Sequence, residues 1–222
     1  MLRRPALVAV LALTACSTQA DPPTPAPTPT VLPLTVAQAT KATLLVTDLP
    51  KGWEGGVAPD PTPTLRLPIT YNPARCRLLR DPLRDRGTPT TSVRGQYFLR
   101  GGSPSDDKDA TEVIASWPTS QLALLREITG AVPLCKTYGG SLDGETFKMF
   151  ARQLSVSGLR DGIVLRFGDP ADPKLKSATY SAYVVRGGTV LALRADSDTF
   201  TSDAAFTQFV TTAVNRLDAA IG

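Results

Sequence analysis

SATYSAYVVRGGTVLALRA, residues 177–195, is the stretch that decides the fold. Ser177 to Arg186 and Thr189 to Ala195 read as strands, and they meet at Arg186-Gly187-Gly188-Thr189. A Gly-Gly pair between two such runs signals a two-residue hairpin, because glycine reaches the positive φ that these tight turns require. The stretch therefore predicts two adjacent antiparallel strands.

Similar signals recur upstream. Glu145 to Leu154 and Gly162 to Phe167 are strand candidates. Ser92 to Arg100 is another, with Val93, Gly95, Tyr97 and Leu99 on one face. Thr111 to Trp117 is its antiparallel partner across the loop Gly101 to Ala110. Val36 to Leu49 reads as mainly helical, closing with Thr47-Asp48-Leu49-Pro50. Gly52-Trp53 and a proline-rich loop from Gly55 to Thr64 follow. Pro73 to Arg84 suits a short helix carrying Cys76. Thr119 is placed to cap a helix whose apolar stripe is Leu122, Leu125, Ile128 and Val132, with Cys135 just past its end. The last helix opens at Ser202 or Asp203 and carries Phe206, Phe209, Val210, Ala213, Val214, Leu217 and Ile221 at helical spacing. Hairpin-spaced strands with segregated helices predict an α+β domain over residues 36–222. The expectation is a twisted, mainly antiparallel sheet of about six strands covered by helices, with one disulfide.

The start of the chain carries an address. Arg3 and Arg4 precede the apolar run Ala6 to Leu13, and Leu13-Thr14-Ala15-Cys16 reads as a lipobox, the cleavage and acylation signal of a bacterial lipoprotein. An ordinary secretory leader with an incidental cysteine is the competing reading. The apolar run is far shorter than the roughly 20 residues a spanning helix needs. Residues 1–15 are thus expected to be a signal peptide and Cys16 the lipidated residue, attached to the membrane by its acyl chains. From Ser17 to Leu34 the chain is dominated by proline, threonine and alanine. Residues 16–35 therefore read as the lipidated cysteine and an extended tether, since proline fixes φ and removes donors.

Cleavage before Cys16 removes two arginines and lowers the formal net charge from +4 to +2. So small a charge argues against a nucleic-acid partner, which calls for a clustered basic face. With Cys16 spent on lipid, Cys76 and Cys135 remain, and in an oxidising compartment such a pair forms a disulfide. A thiol nucleophile or a zinc site are the alternatives. The chain contains no histidine, which removes the usual thiol base, the Ser-His-Asp triad and His-ligated zinc. No cofactor motif is present: there is no glycine-rich phosphate loop and no dinucleotide fingerprint.

Five further constellations were candidates for chemistry. Ser105-Asp106-Asp107-Lys108 has the letters of the S-x-x-K acyl-enzyme motif, but two aspartates in a polar loop would keep the lysine charged. Asp106, Asp107, Asp109 and Glu112 offer oxygen ligands for calcium without the order of an EF-hand loop. Arg75, Arg77, Arg80, Arg84 and Arg86 form the densest basic run. It reads either as a contact for an anionic envelope polymer or headgroup, or as the solvent face of a helix burying Leu78, Leu79 and Leu83. Trp53, Tyr71, Tyr97, Trp117, Tyr138, Tyr180 and Tyr183 are candidates to line a cleft, against the alternative of core. Asp143, Glu145 and Asp161 are carboxylates that a glycosidase-like hydrolase would use in pairs.

Asp48-Leu49-Pro50 with Gly52-Trp53, an early helical Cys76, a hairpin ending at Trp117-Pro118 and a helix running into Cys135 together resemble the PknH-like extracellular sensor domain of actinobacterial lipoproteins. The resemblance spans about residues 40 to 222. It implies an α+β domain with a cleft for an envelope ligand. The chain departs from it in offering one cysteine pair where two are expected, and no family ligand residues carry over. The resulting expectation is a lipid-anchored, extracytoplasmic, monomeric binding or sensing module without catalysis or cofactor. Its partners would be the membrane and an envelope ligand or protein. A structural adaptor docking another envelope protein is the second reading, and a carboxylate hydrolase the third.

Overall fold

The computed structural model describes residues 31–58, 69–101, 108–171, 178–196, 199–200 and 202–222. The chain opens with α1 (Val36–Ala42), a 3-10 turn at Val46–Asp48 and strand β1 (Trp53–Val57). Next come β2 (Thr70–Asn72), a 3-10 turn at Ala74–Cys76, α2 (Arg77–Arg80), β3 (Thr91–Leu99) and β4 (Lys108–Ser116). Then follow α3 (Leu122–Ala131), a 3-10 turn at Val132–Cys135, β5 (Thr137–Leu142), β6 (Glu145–Leu154) and β7 (Gly162–Gly168). The hairpin β8 (Thr179–Arg186) and β9 (Thr189–Asp196) precedes α4 (Asp203–Ile221). Among the described residues the strands form one nine-stranded sheet in the order β1-β3-β4-β9-β8-β7-β6-β5-β2. Each adjacent pair is antiparallel.

The deciding hairpin lies at the centre of that sheet, where both faces are covered. Alternation along β8 sends Tyr180, Ala182 and Val184 into one core and Tyr183 and Val185 into the other. The first core is roofed by α1 and α4, with Phe206, Phe209, Val210, Ala213 and Leu217 facing down. Ser202 caps α4 by accepting from the Ala205 N–H, as the sequence suggested. Asp203 in its first turn receives Arg152 at 2.6 Å, Arg166 at 3.0 Å and the Tyr180 hydroxyl at 2.8 Å. A carboxylate there complements the helix dipole and ties α4 to β6, β7 and β8. The second core lies under α2 and α3 and includes Cys76, Leu79, Leu124, Ile128 and Cys135. Cys76 and Cys135 are disulfide-bonded across it, 59 residues apart.

The sheet has nine strands where about six were expected. The missing three are β1, β2 and β5, and in β1 and β5 the cause is glycine. In β1, Gly55 adopts φ +121, and a Cβ there would lie 2.0 Å from the Gln96 carbonyl oxygen of β3. In β5, a Cβ on Gly140 would lie 2.2 Å from the Thr70 carbonyl oxygen of β2. These glycines permit close strand approach but carry no side chain to mark a face, so a periodicity argument reads them as loop. Strand β2 has only three residues and contributes no period at all. Two helix details also differ. The N-cap of α3 is Gln121 and not Thr119, and its buried residues are Leu124, Ile128 and Ala131, while Leu122 is exposed. At the far end of α4, Ala220 is buried and Ile221 exposed.

The β8–β9 turn needs two glycines for two different reasons. Gly187 has φ +59, the positive value of the first position in a type II′ turn. Gly188 is required by space, since an added Cβ would meet the Trp117 carbonyl oxygen at 2.2 Å. The turn is docked there by the Trp117 N–H donating to the Gly188 carbonyl and the Gln121 N–H donating to the Gly187 carbonyl, each at 2.9 Å. Gly188→Ala is expected to cost about 2 kcal/mol, the middle of the range for overpacking a tight site. Chemical denaturation checks this; an unchanged midpoint would mean the turn can move away from Trp117.

Candidate functional site

The basic run does not form one surface. Arg77 pairs with Asp85 and Arg86 with Glu127, and Arg75 is exposed. Arg84 is exposed beside a cavity, whereas Arg80 turns inward and places its guanidinium carbon 4.7 Å from the centroid of the Phe167 ring. Neither a uniform polymer-binding face nor a uniform solvent face describes the five. The cause is the brevity of α2: a four-residue helix ending at Arg80 presents too few turns to hold all five side chains on one side.

Helices α2 and α3 cover only part of their face of the sheet. Beyond them, Ser92, Arg94, Gln96 and Phe98 of β3, Asp109, Thr111 and Val113 of β4, and Ala192 and Arg194 of β9 share that face and are partly or fully exposed. The segment from Arg80 to Pro89 stands along this floor as a wall. At one end, Asp81, Leu83, Arg84, Gly87, Thr88 and Pro89 of the wall enclose about 440 Å³ with Ser92, Val113, Ala115 and Trp117 of the floor. Toward the other end, the register places Arg194 of β9 opposite Thr111 of β4 and Ser181 of β8. Thr111 lies four residues along β4 from Ala115, about 13 Å at the usual strand rise. The arrangement is a shallow groove along β4 and β9: its cavity at the Trp117 end mixes apolar side chains with Asp81, Arg84, Thr88 and Ser92, and the same sheet face continues from it to Arg194.

Arg80, which precedes the cavity-lining Asp81 and lies over Phe167, is the chemically distinctive residue of this face. Its Nη1 is buried and has no hydrogen-bond partner among the described residues. Burial lowers its pKa, Arg194 lowers it further, and Tyr138, Tyr183 and Tyr71 act in the opposite direction. The helix end that carries it is fixed by the Tyr183 hydroxyl, 3.3 Å from the carbonyl oxygens of both Leu79 and Arg80. Desolvation pushes Tyr138 and Tyr183 up to about 12, so both stay neutral at physiological pH. Tyr71, Tyr138 and Phe147 continue the aromatic surface outward, with Tyr71 6.2 Å from Tyr138 and 6.1 Å from Phe147 between ring centroids. Arg94 adds a second buried nitrogen, Nε, without a partner among the described residues. Arg94 and Arg194 were not singled out from sequence, although Arg94 was readable as lying on the β3 face opposite Val93 and Tyr97.

The other candidates disperse. The seven aromatics divide between two cores: Trp53, Tyr97 and Tyr180 under α1 and α4, Trp117, Tyr138 and Tyr183 on the other face, with Tyr71 packed against that second group. Of the calcium candidates, Asp109 is exposed and Glu112 fully buried, because residues three apart on a strand point to opposite faces. Asp106 and Asp107, and with them most of the Ser105 to Lys108 motif, lie outside the described residues, as do Cys16 and the leader. No group of three or more potential metal ligands occurs among the described residues. Asp143 sits in the β5–β6 turn beside Glu145, and Asp161 precedes β7 near the opposite end of the ten-residue β6. That separation leaves Asp161 out of reach of the other two.

No protein-family model matches the sequence, and no curated protein does. In structure, the chain is similar to the crystal structure of the extracellular domain of PknH from Mycobacterium tuberculosis. The TM-score is 0.60 at 13% sequence identity, over 85% of this chain and 97% of that one. It also aligns with the X-ray structure of an uncharacterised protein, the Rv0999 ortholog of Mycobacterium smegmatis, with TM-score 0.43 and 10% identity, over 82% of this chain and 96% of the other. The fold is thus that of the PknH extracellular domain, as the sequence resemblance implied.

Proposed function

We propose that this chain is a lipid-anchored extracytoplasmic lipoprotein whose folded part is a non-catalytic ligand-binding or sensing module of the cell envelope. The observation that carries the reading is the groove between the Arg80–Pro89 wall and the uncovered face of β3, β4 and β9. It is concave, part apolar and part basic, as small-molecule sites are, and it belongs to a fold shared with an extracellular domain. The address rests on Leu13 to Cys16 and on the disulfide, which suits an oxidising compartment. No helix among the described residues is long and apolar enough to cross a membrane; in this reading the attachment is the acyl chains on Cys16. The module works as a monomer.

Native mass spectrometry of the full chain purified in detergent from its own envelope tests the binding role. A co-purifying small molecule is the expected result. A clean mass together with a protein crosslinked to the sheet face would replace the sensor with an adaptor. The anchor has its own check. Cys16→Ser is expected to abolish labelling by a fatty-acid probe and to move the protein from the membrane fraction to the soluble one. Retention of the label in that variant would refute the lipobox.

A further inference from the structure

We infer that the ligand of the groove carries an oxyanion, a carboxylate or a phosphate, and that Arg80 and Arg194 bind it. The inference rests on the ligand-binding reading above and narrows it to a chemical class.

An arginine is charged at every physiological pH, and burying one is costly unless an anion pairs with it. Arg80 is partly buried, and one of its nitrogens departs from that rule. Its Nη1 is buried without a hydrogen-bond partner among the described residues, and the charged group acting on it most strongly is another cation, Arg194. The Phe167 ring at 4.7 Å and the Tyr183 hydroxyl on the α2 carbonyls fix the side chain from below and behind. Neither supplies negative charge to Nη1. Two guanidiniums held within electrostatic reach, one of them with a buried nitrogen over an aromatic ring, raise the free energy of the empty protein. An oxyanion between them removes that cost and gains charge-assisted hydrogen bonds, bidentate where the geometry permits. Arg194 lies on the exposed floor, which gives a ligand head its entry. The apolar floor at Val113, Ala115 and Trp117, flanked by Asp81, Arg84, Thr88 and Ser92, then receives an uncharged body.

The test uses the full lipidated chain in a neutral detergent at low ionic strength. Hexyl phosphate, hexanoate, inorganic phosphate and hexanol are titrated, with Trp117 in the groove floor as a fluorescence reporter. Hexyl phosphate or hexanoate is expected to bind at least tenfold more tightly than hexanol. Which of the two wins identifies the head as phosphate or carboxylate, and binding of inorganic phosphate alone would remove any need for the apolar body. Arg80→Met and Arg194→Gln are each expected to weaken the anionic probe at least tenfold, while Arg126→Gln, on the exposed side of α3, leaves it unchanged.

A second readout separates binding from scaffolding. Removing a partly buried charge with an unpartnered Nη1 relieves the empty protein, so Arg80→Met is expected to keep or raise the melting temperature without ligand. A fall of several degrees would assign Arg80 to the fold and overturn the inference, as would equal affinity for hexanol. A neutral molecule co-purifying in the mass spectrum would overturn the oxyanion alone and leave the sensor reading standing.

Discussion

A variant with Cys76 and Cys135 both replaced by alanine is expected to lose about 4 kcal/mol of unfolding free energy, by the chain-entropy estimate for a loop of this length. The two cysteines are 59 residues apart and fully buried in the core under α2 and α3. The loop they close contains all of β3, β4 and α3. Without the bridge, the unfolded chain gains the freedom of that loop, and the native state loses the tie between the short α2 region and the end of α3. A four-residue helix cannot hold itself in water, so α2 depends on this tie and on Leu79 beneath it. The loss should therefore be uneven. Amides of residues 77–89 are expected to lose hydrogen-exchange protection before those of β8 and β9, and the groove wall would loosen before the sheet does. Urea denaturation of the double variant beside the parent checks the total, and exchange mass spectrometry checks the order. A parent-like midpoint would show that helix packing alone secures the wall.

Across pH 4.5 to 7 the parent protein is expected to lose roughly 3 kcal/mol of stability as the pH rises, and Glu112→Gln is expected to abolish that slope. Glu112 sits on β4 beneath α1 with no exposed surface. Burial pushes its carboxyl from an ordinary 4.5 up to about 7, against the lowering effects of the Leu44 N–H, the Tyr97 hydroxyl and Arg216. Asp48 adds to the rise. The sign follows directly. Between the two values the unfolded chain has released the proton and the folded chain still holds it, so raising the pH favours unfolding. The contribution is whole below 4.5 and lost by about 7.

Hydrogen-bond accounting agrees with a proton on Glu112. The Tyr97 hydroxyl lies 2.8 Å from both the Leu44 carbonyl and Glu112 Oε2, and it has one proton for two acceptors. A protonated carboxyl supplies the second donor. The Leu44 N–H donates to the same Oε2 at 2.9 Å, so the charge state of Glu112 bears on how the segment after α1 is held. Arg216 secures that segment independently through the carbonyls of Thr43 and Lys41 and an ion pair with Asp48 at 3.1 Å. The fold is thus expected to persist above pH 7 at reduced stability. Asp85, held below its usual range by the Arg77 hydrogen bond, acts in the opposite sense and only at lower pH. Denaturation midpoints from pH 4.5 to 8 decide the matter. An equal slope in the Gln variant would assign the effect elsewhere.

The reach of the sequence can be traced residue by residue. The Gly187-Gly188 turn, the C-terminal helix with its Ser202 cap and the Cys76–Cys135 pair were each legible, because each rests on a rule that acts over a few residues or on a count of two. The glycine strands β1 and β5 were not. Gly55 and Gly140 are glycines because another strand's carbonyl occupies the space a Cβ would need, and that strand is distant in sequence. The stripe of α3 held at Leu125, Ile128 and Val132 and failed at Leu122 for a related reason: helical spacing admits more than one apolar face, and contact with the sheet chose Leu124 over Leu122.

The groove shows the same division. By itself the sequence determined an antiparallel α+β fold with one disulfide and a dense run of arginines, since composition, turn chemistry and spacing are local properties. Only the tertiary structure decided which arginine matters. Arg80 differs from Arg77 and Arg86 not in its neighbours along the chain but in what lies across from it, Phe167 and Arg194, where they meet Asp85 and Glu127. Burial and pairing of a charge are set by residues brought together through the fold, and no local pattern encodes them.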